Sequence, residues 1–163
     1  MRKMNQGILQ RLVISFLVII ASFITLQNVS AADESNALTP PPPPLSDITI
    51  MGSFDPNHKY LEDGISIISD MGDGDVRVSA ITTGTGYIET LGAKLEFQKW
   101  TGSSWITVFE SPSYTDGDAR TLEIYANLNV ETGYYYRIVS THWAEQDGVY
   151  EQGTRYGQSN LID

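Results

Sequence analysis

Between Leu128 and Trp143 the chain reads LNVETGYYYRIVSTHW, its longest run of residues that favour extended backbone. Side chains alternate between the faces of a strand, so Tyr134, Tyr136, Ile138, Ser140 and His142 fall on one side. Tyr135, Arg137, Val139, Thr141 and Trp143 fall on the other. Gly133 precedes the run and Asp147-Gly148 follows it, residues that tolerate turn geometry. Such a strand needs neighbours on both edges, so the surrounding sequence has to supply further strands.

It does so in short pieces. Ser46–Met51, Ile65–Ser69, Val76–Thr83, Lys94–Trp100, Trp105–Glu110, Thr121–Leu128 and Val149–Tyr156 all favour strand, and glycine, proline or serine punctuates most of the joins between them. Asp73-Gly74, within Met71-Gly72-Asp73-Gly74, predicts a tight hairpin between the second and third of these. Pro112 to Ala119 is read as irregular, and no helical periodicity holds for three turns. About eight evenly spaced strands predict an all-β domain over residues 45–163, spaced as in a sandwich or a barrel.

Two segments precede that domain. Residues 1–32 have the pattern of a secretory signal peptide: Arg2, Lys3 and Arg11 are basic, Leu12 to Leu26 is apolar, and Val29-Ser30-Ala31-Ala32 offers small residues for cleavage. As a helix the apolar stretch would reach only about 22 Å, short of the roughly 30 Å hydrocarbon core, so removal is expected rather than retention as an anchor. Residues 33–44 form a proline-rich linker. Its five prolines, Pro40 to Pro44, predict a polyproline spacer of roughly 15 Å, with no flanking basic residue to mark a docking ligand.

The expected location is therefore secreted and extracellular. Past the leader the chain holds seven basic residues against twenty acidic ones, a formal charge of −13. That balance argues against nucleic acid and anionic membrane as partners, because both need clustered Lys and Arg. Without cysteine there is neither a disulfide nor a lipid attachment point, which suits a bacterial exported chain.

Leu128, Val130, Thr132, Tyr134, Tyr136 and Ile138 resemble the L-x-P-x-T-x-Y-x-V-x-V pattern of fibronectin type III and related immunoglobulin-like sandwiches, with Val130 where proline is usual. The resemblance implies an antiparallel β-sandwich of immunoglobulin-like type, with Tyr134 as the corner tyrosine whose hydroxyl bonds back to the preceding loop. More broadly, LEFQKWTGSSWITV and GYYYRIVSTHWAEQDGVYE resemble a family of small exported proteins of Gram-positive bacteria with no assigned function. This likeness spans roughly 75–162 and implies secretion and an all-β fold, with no activity attached.

The residues offer little chemistry. No Gly-x-Ser-x-Gly elbow and no cysteine nucleophile exist, so no catalytic residue and no cofactor are expected. A secreted sandwich can bind through exposed aromatics, and Trp100, Trp105, Trp143 and Tyr135 are the candidates. The partner expected is wall polysaccharide or another surface protein. The rival is a small hydrolase using His142 with Glu145 or Glu151, although a hydrogen-bonded, semi-buried histidine accounts for the same residue. Asp70, Asp73 and Asp75 are the nearest approach to a calcium loop, yet they lack the closing glutamate, so a hairpin turn is expected and no metal site.

Overall fold

A computed structural model describes residues 36–45 and 54–163. The leader and the strand expected at Ser46–Met51 lie outside the described residues. Among the described residues there are nine strands: β1 Leu61–Gly72, β2 Asp75–Ile88, β3 Thr90–Trp100, β4 Trp105–Glu110, β5 Tyr114–Asp116, β6 Ala119–Asn129, β7 Tyr134–Gln146, β8 Val149–Tyr156 and β9 Asn160–Ile162. They form two antiparallel sheets, β1-β2-β6 facing β4-β3-β7-β8, with β5 added beside β3 and β9 beside β7. Strand pairs crossing from one layer to the other in this order make an immunoglobulin-like sandwich.

The hairpins follow from local chemistry. Asp73-Gly74 and Asp147-Gly148 both take positive φ, 55° and 79° in the first pair and 53° and 73° in the second. Positive φ at both central residues is the twist that a two-residue turn needs to join right-twisted strands. Two short elements escape the sequence reading. β5 arises inside the stretch taken as irregular, and β9 follows the last strand expected. The run from Leu128 also divides, because Leu128 and Asn129 close β6 against Val76 and Asp75 before a turn through Gly133 starts β7.

Along β7 the alternation is strict over the middle of the strand. Tyr136, Ile138, Ser140, His142 and Ala144 are buried, while Arg137, Val139, Thr141 and Trp143 are half-buried on the outer side. The inward residues divide the core into two apolar clusters. One gathers Val78, Ala80, Leu95, Phe97, Tyr136 and Ile138, with Phe97 stacked on Tyr136 at 5.1 Å. The other gathers Tyr60, Leu61, Ile88, Leu91 and Ala144. Thr82, Ser140 and His142, all fully buried, lie between them along β2 and β7.

One expectation is corrected here. The corner tyrosine is Tyr136 and not Tyr134: the Tyr136 hydroxyl donates to the Glu131 carbonyl at 2.8 Å, closing the β6–β7 turn. Tyr134 begins the strand, and its ring lies instead under the Lys99 ammonium at 3.4 Å. The shift of two residues keeps the same face and moves the ring one step deeper into the core. Burial, with the Glu131 carboxylate nearby, pushes the Tyr136 pKa up to about 12, so the hydroxyl stays protonated and donating.

The far end of the sandwich is fastened by Glu151. Its carboxylate accepts the backbone N–H groups of Lys59, Tyr60 and Leu61 at 2.7, 2.7 and 2.8 Å, which holds the entry to β1 against β8. Burial alone would raise the Glu151 pKa, but the three bonds together outweigh it and hold the carboxyl below its usual value.

Replacing Tyr136 by phenylalanine should lower unfolding stability by about 1 kcal/mol, the usual worth of one such hydrogen bond. Tyr134→Phe should change it by under about 0.5 kcal/mol. Urea titration of the two variants decides between them, and an equal or reversed ranking would refute the assignment of the corner.

Candidate functional site

The four aromatic candidates all belong to the outer face of the larger sheet. Lys94, Glu96 and Gln98 of β3 stand beside Thr141, Val139 and Arg137 of β7, and that outward parity leads on to Trp100. Trp100 pairs with Trp105 across the β3–β4 hairpin, their rings 5.2 Å apart and tilted by 50°. Tyr135 is on the outer parity of β7 at this same end. Trp143 stands apart, eight residues or about 26 Å further along β7.

Trp143 has a packing task there. Its indole covers Gly92 so closely that a Cβ at that position would come within 1.8 Å of Trp143 Cε2. Trp100 and Tyr135 are only 7% and 8% exposed, so neither offers an open platform. The Trp100 indole N–H donates to the Pro40 carbonyl at 3.0 Å, which brings the proline-rich segment onto this end of the sheet.

What stays half-open is a stack that sequence reasoning missed. The Arg137 guanidinium lies 4.4 Å from the Trp105 ring centre and 5.5 Å from that of Tyr156. Its Nε donates to Gln98 Oε1 at 2.9 Å, which fixes the plane of the fork. Burial lowers the Arg137 pKa, and the Tyr156 hydroxyl opposes that shift. The group remains a cation between two rings, a favourable cation–π arrangement. The outward parity of Arg137 was legible, but the two rings beside it come from β4 and β8 and needed the sheet order to be found.

His142 faces the opposite way. Its ring is enclosed between the sheets, with Thr82 Oγ1 2.7 Å from Nδ1 and Ser140 Oγ 2.7 Å from Nε2. The proton positions can be assigned from the network. Thr82 gives its single hydroxyl proton to the Gly92 carbonyl at 3.0 Å, so its oxygen must accept from Nδ1–H. Nε2 then accepts from Ser140, whose oxygen accepts in turn from Ser66 of β1.

Gly64 makes room for the ring, since a Cβ there would fall 2.4 Å from His142 Cδ2. Burial, aided by the Arg155 charge and opposed by Asp63, holds the His142 pKa down at about 4. The imidazole is neutral at pH 7 and a weak base. Neither Glu145 nor Glu151 bonds it: Glu151 is the clamp on residues 59–61, and Glu145 pairs outward beside Tyr150.

At the open end of this chain, Ser66 lines a cavity of about 300 Å³ with Asp63, Gly64, Arg155 and Tyr156. Arg155 is already committed, donating from Nε to the Gly64 carbonyl at 2.8 Å and pairing with Asp63. Its guanidinium also lies over Phe54, 4.4 Å from the ring centre.

The acidic candidates form turns. Asp70 accepts the Gly72 backbone N–H, Asp73 occupies the first turn position, and Asp75 accepts from the Asn129 amide. Among the described residues no group of three or more His, Asp or Glu side chains is placed to hold a metal ion. No family model matches the chain, and no curated protein matches it.

The histidine generates a pH prediction. Its folded pKa lies below the unfolded value of about 6.5, so between pH 6.5 and pH 4 the unfolded chain binds a proton that the native chain refuses. Stability from this group is therefore present at neutral pH and lost on acidification through that window. Between pH 7 and pH 4.5 the loss should be on the order of 2 kcal/mol. Urea midpoints of the wild type and of His142→Gln at both pH values measure it: the variant should lose that much less than the wild type. Equal losses would show that His142 does not carry the effect.

Proposed function

We propose that this chain is an exported, non-catalytic binding module whose ligand face is the outer surface of the larger sheet, acting on wall polysaccharide or on another surface protein. The observation that carries the reading is the half-open stack of Trp105, Arg137 and Tyr156. Aromatic rings give apolar faces on which a sugar ring can lie, and a guanidinium held in plane gives directed donors to its hydroxyls. The acidic surface favours neutral or basic partners over phosphate-rich ones. A leader followed by a sandwich domain supports action outside the cell, as does the resemblance to exported Gram-positive proteins.

The rival reading, a small hydrolase using His142, has less behind it. Both ring nitrogens are engaged by hydroxyls and the ring is fully buried, so a substrate would need the two layers to part.

The test is retention of the chain from Asp33 onward on wall fractions, separately stripped of protein or digested of polysaccharide. Retention is expected, and Arg137→Ala or Trp105→Ala should weaken it at least tenfold while leaving circular dichroism unchanged. No retention on either fraction, or retention indifferent to both substitutions, would dismiss this face as the ligand site.

A further inference from the structure

The proline-rich segment has an acceptor built for it. Leu38 N–H donates to the Gly133 carbonyl at 2.7 Å, and its side chain covers Gly133 so closely that a Cβ there would meet Leu38 Cγ at 2.8 Å. Two residues on, the Pro40 carbonyl accepts the Trp100 indole N–H at 3.0 Å. Thr39 and Pro40 then pass over Gly102 of the β3–β4 turn, 3.7 and 3.6 Å from where its Cβ would stand. The segment thus runs from one turn to another across a tryptophan that is left 7% exposed.

This arrangement is the chemistry of polyproline recognition. A run of prolines carries carbonyls with no N–H groups beside them, so its backbone is rich in unmatched acceptors. An aromatic ring that also donates one hydrogen bond meets both needs of such a segment, apolar contact and a partner for a carbonyl. The chain bends at Leu38 and Thr39, and the prolines that follow are extended already when free, so docking such a segment orders few torsions. Gly133 keeps its wall low enough for the segment to approach, whereas Gly102 serves the positive φ of its turn and leaves ordinary contact distance to Thr39 and Pro40.

We propose that Trp100, flanked by Gly102 and Gly133, forms a binding subsite for proline-rich peptide, and that residues 38–40 occupy it in cis as a built-in competitor. An external proline-rich segment enters only by displacing the internal one, whose effective concentration is in the millimolar range for a short tether. The subsite rests on the reading of the larger sheet's outer face as the binding surface, and it adds the class of partner and the element that screens it. The two readings fail separately. One is measured in purified chain by the Trp100 indole, the other on wall material through Trp105 and Arg137.

The experiment compares the chain from Asp33 onward with a variant carrying Leu38→Gly and a glycine–serine sequence in place of Pro40–Pro44. The probe is a synthetic peptide of residues 36–45, followed by the nitrogen-15 signals of the three tryptophan indoles. In the variant the Trp100 signal should move on loss of the cis segment and return as peptide is added, while the Trp143 signal, at the far end of β7, stays still. The unaltered chain should need at least tenfold more peptide for the same change. Adding Trp100→Phe to the variant, with binding then read from the neighbouring Trp105 indole, should weaken peptide binding at least tenfold, and so should a peptide whose prolines are glycine and serine. A folded variant whose Trp100 signal ignores the peptide would overturn the proposal. So would equal binding of the glycine–serine peptide, or binding indifferent to Trp100→Phe.

Discussion

The packing of the two layers turns on one buried polar chain. Thr82 of β2 and Ser66 of β1 belong to the smaller sheet, and Gly92 of β3 with His142 and Ser140 of β7 belong to the larger, so the hydrogen bonds cross the interface three times. Burying an imidazole and two hydroxyls, with a third half-buried at Ser66, is unfavourable unless every one is paired. They are paired in one direction only, because the Gly92 carbonyl can do nothing but accept. A slip of β7 by two residues would keep the apolar clusters roughly filled and would leave this chain unsatisfied. Hydrophobic burial holds the layers together, and the hydroxyl–imidazole chain selects which register they adopt.

That register decides the outer surface as well. Because side chains alternate, fixing Ser140 and His142 inward fixes Tyr135, Arg137 and Trp143 outward. The partners of β7 on either edge then deliver Gln98 and Tyr156 to the flanks of that row, and β4 adds Trp105 beyond Gln98. The guanidinium stack is therefore a consequence of the interior, positioned by a strand whose other side cannot move. A surface built on a strand of this kind is better preorganised than one built on loops. It also explains why the aromatic residues are unequal in exposure. Trp143, although half-buried, is committed to covering Gly92, and Trp100 to holding Pro40, whereas the Arg137 stack in the middle of the row is half-open with no such task.

Much of this was legible in the sequence, and the parts that were not share a physical cause. The alternation through Tyr134–Trp143 and the Asp-Gly turns are local, depending on neighbours one or two residues away, and both appear as expected. Tyr136 rather than Tyr134 makes the corner because depth in the core, set by the opposing sheet, decides which of two like-facing tyrosines reaches Glu131. Thr82 and Ser66 meet the histidine strand across 60 and 74 residues of chain, and nothing in their surroundings marks them. The proline run was read as a spacer from composition, which describes stiffness well. Composition does not say what the carbonyls of a stiff segment will find once the chain folds.

The two sides of β7 divide the work of the molecule between specificity of fold and capacity for contact. On the inner side, each polar group is satisfied by protein and hidden from water, which makes it insensitive to ligands and sensitive to acid. On the outer side, the cation and the rings of the Arg137 stack are half-exposed, and the part that protein does not cover meets solvent. The proline-rich segment supplies cover at the Trp100 end, which is why that end is closed while the Arg137 stack is not. A surface that already gains from covering its own chain has, by the same forces, something to gain from covering another's.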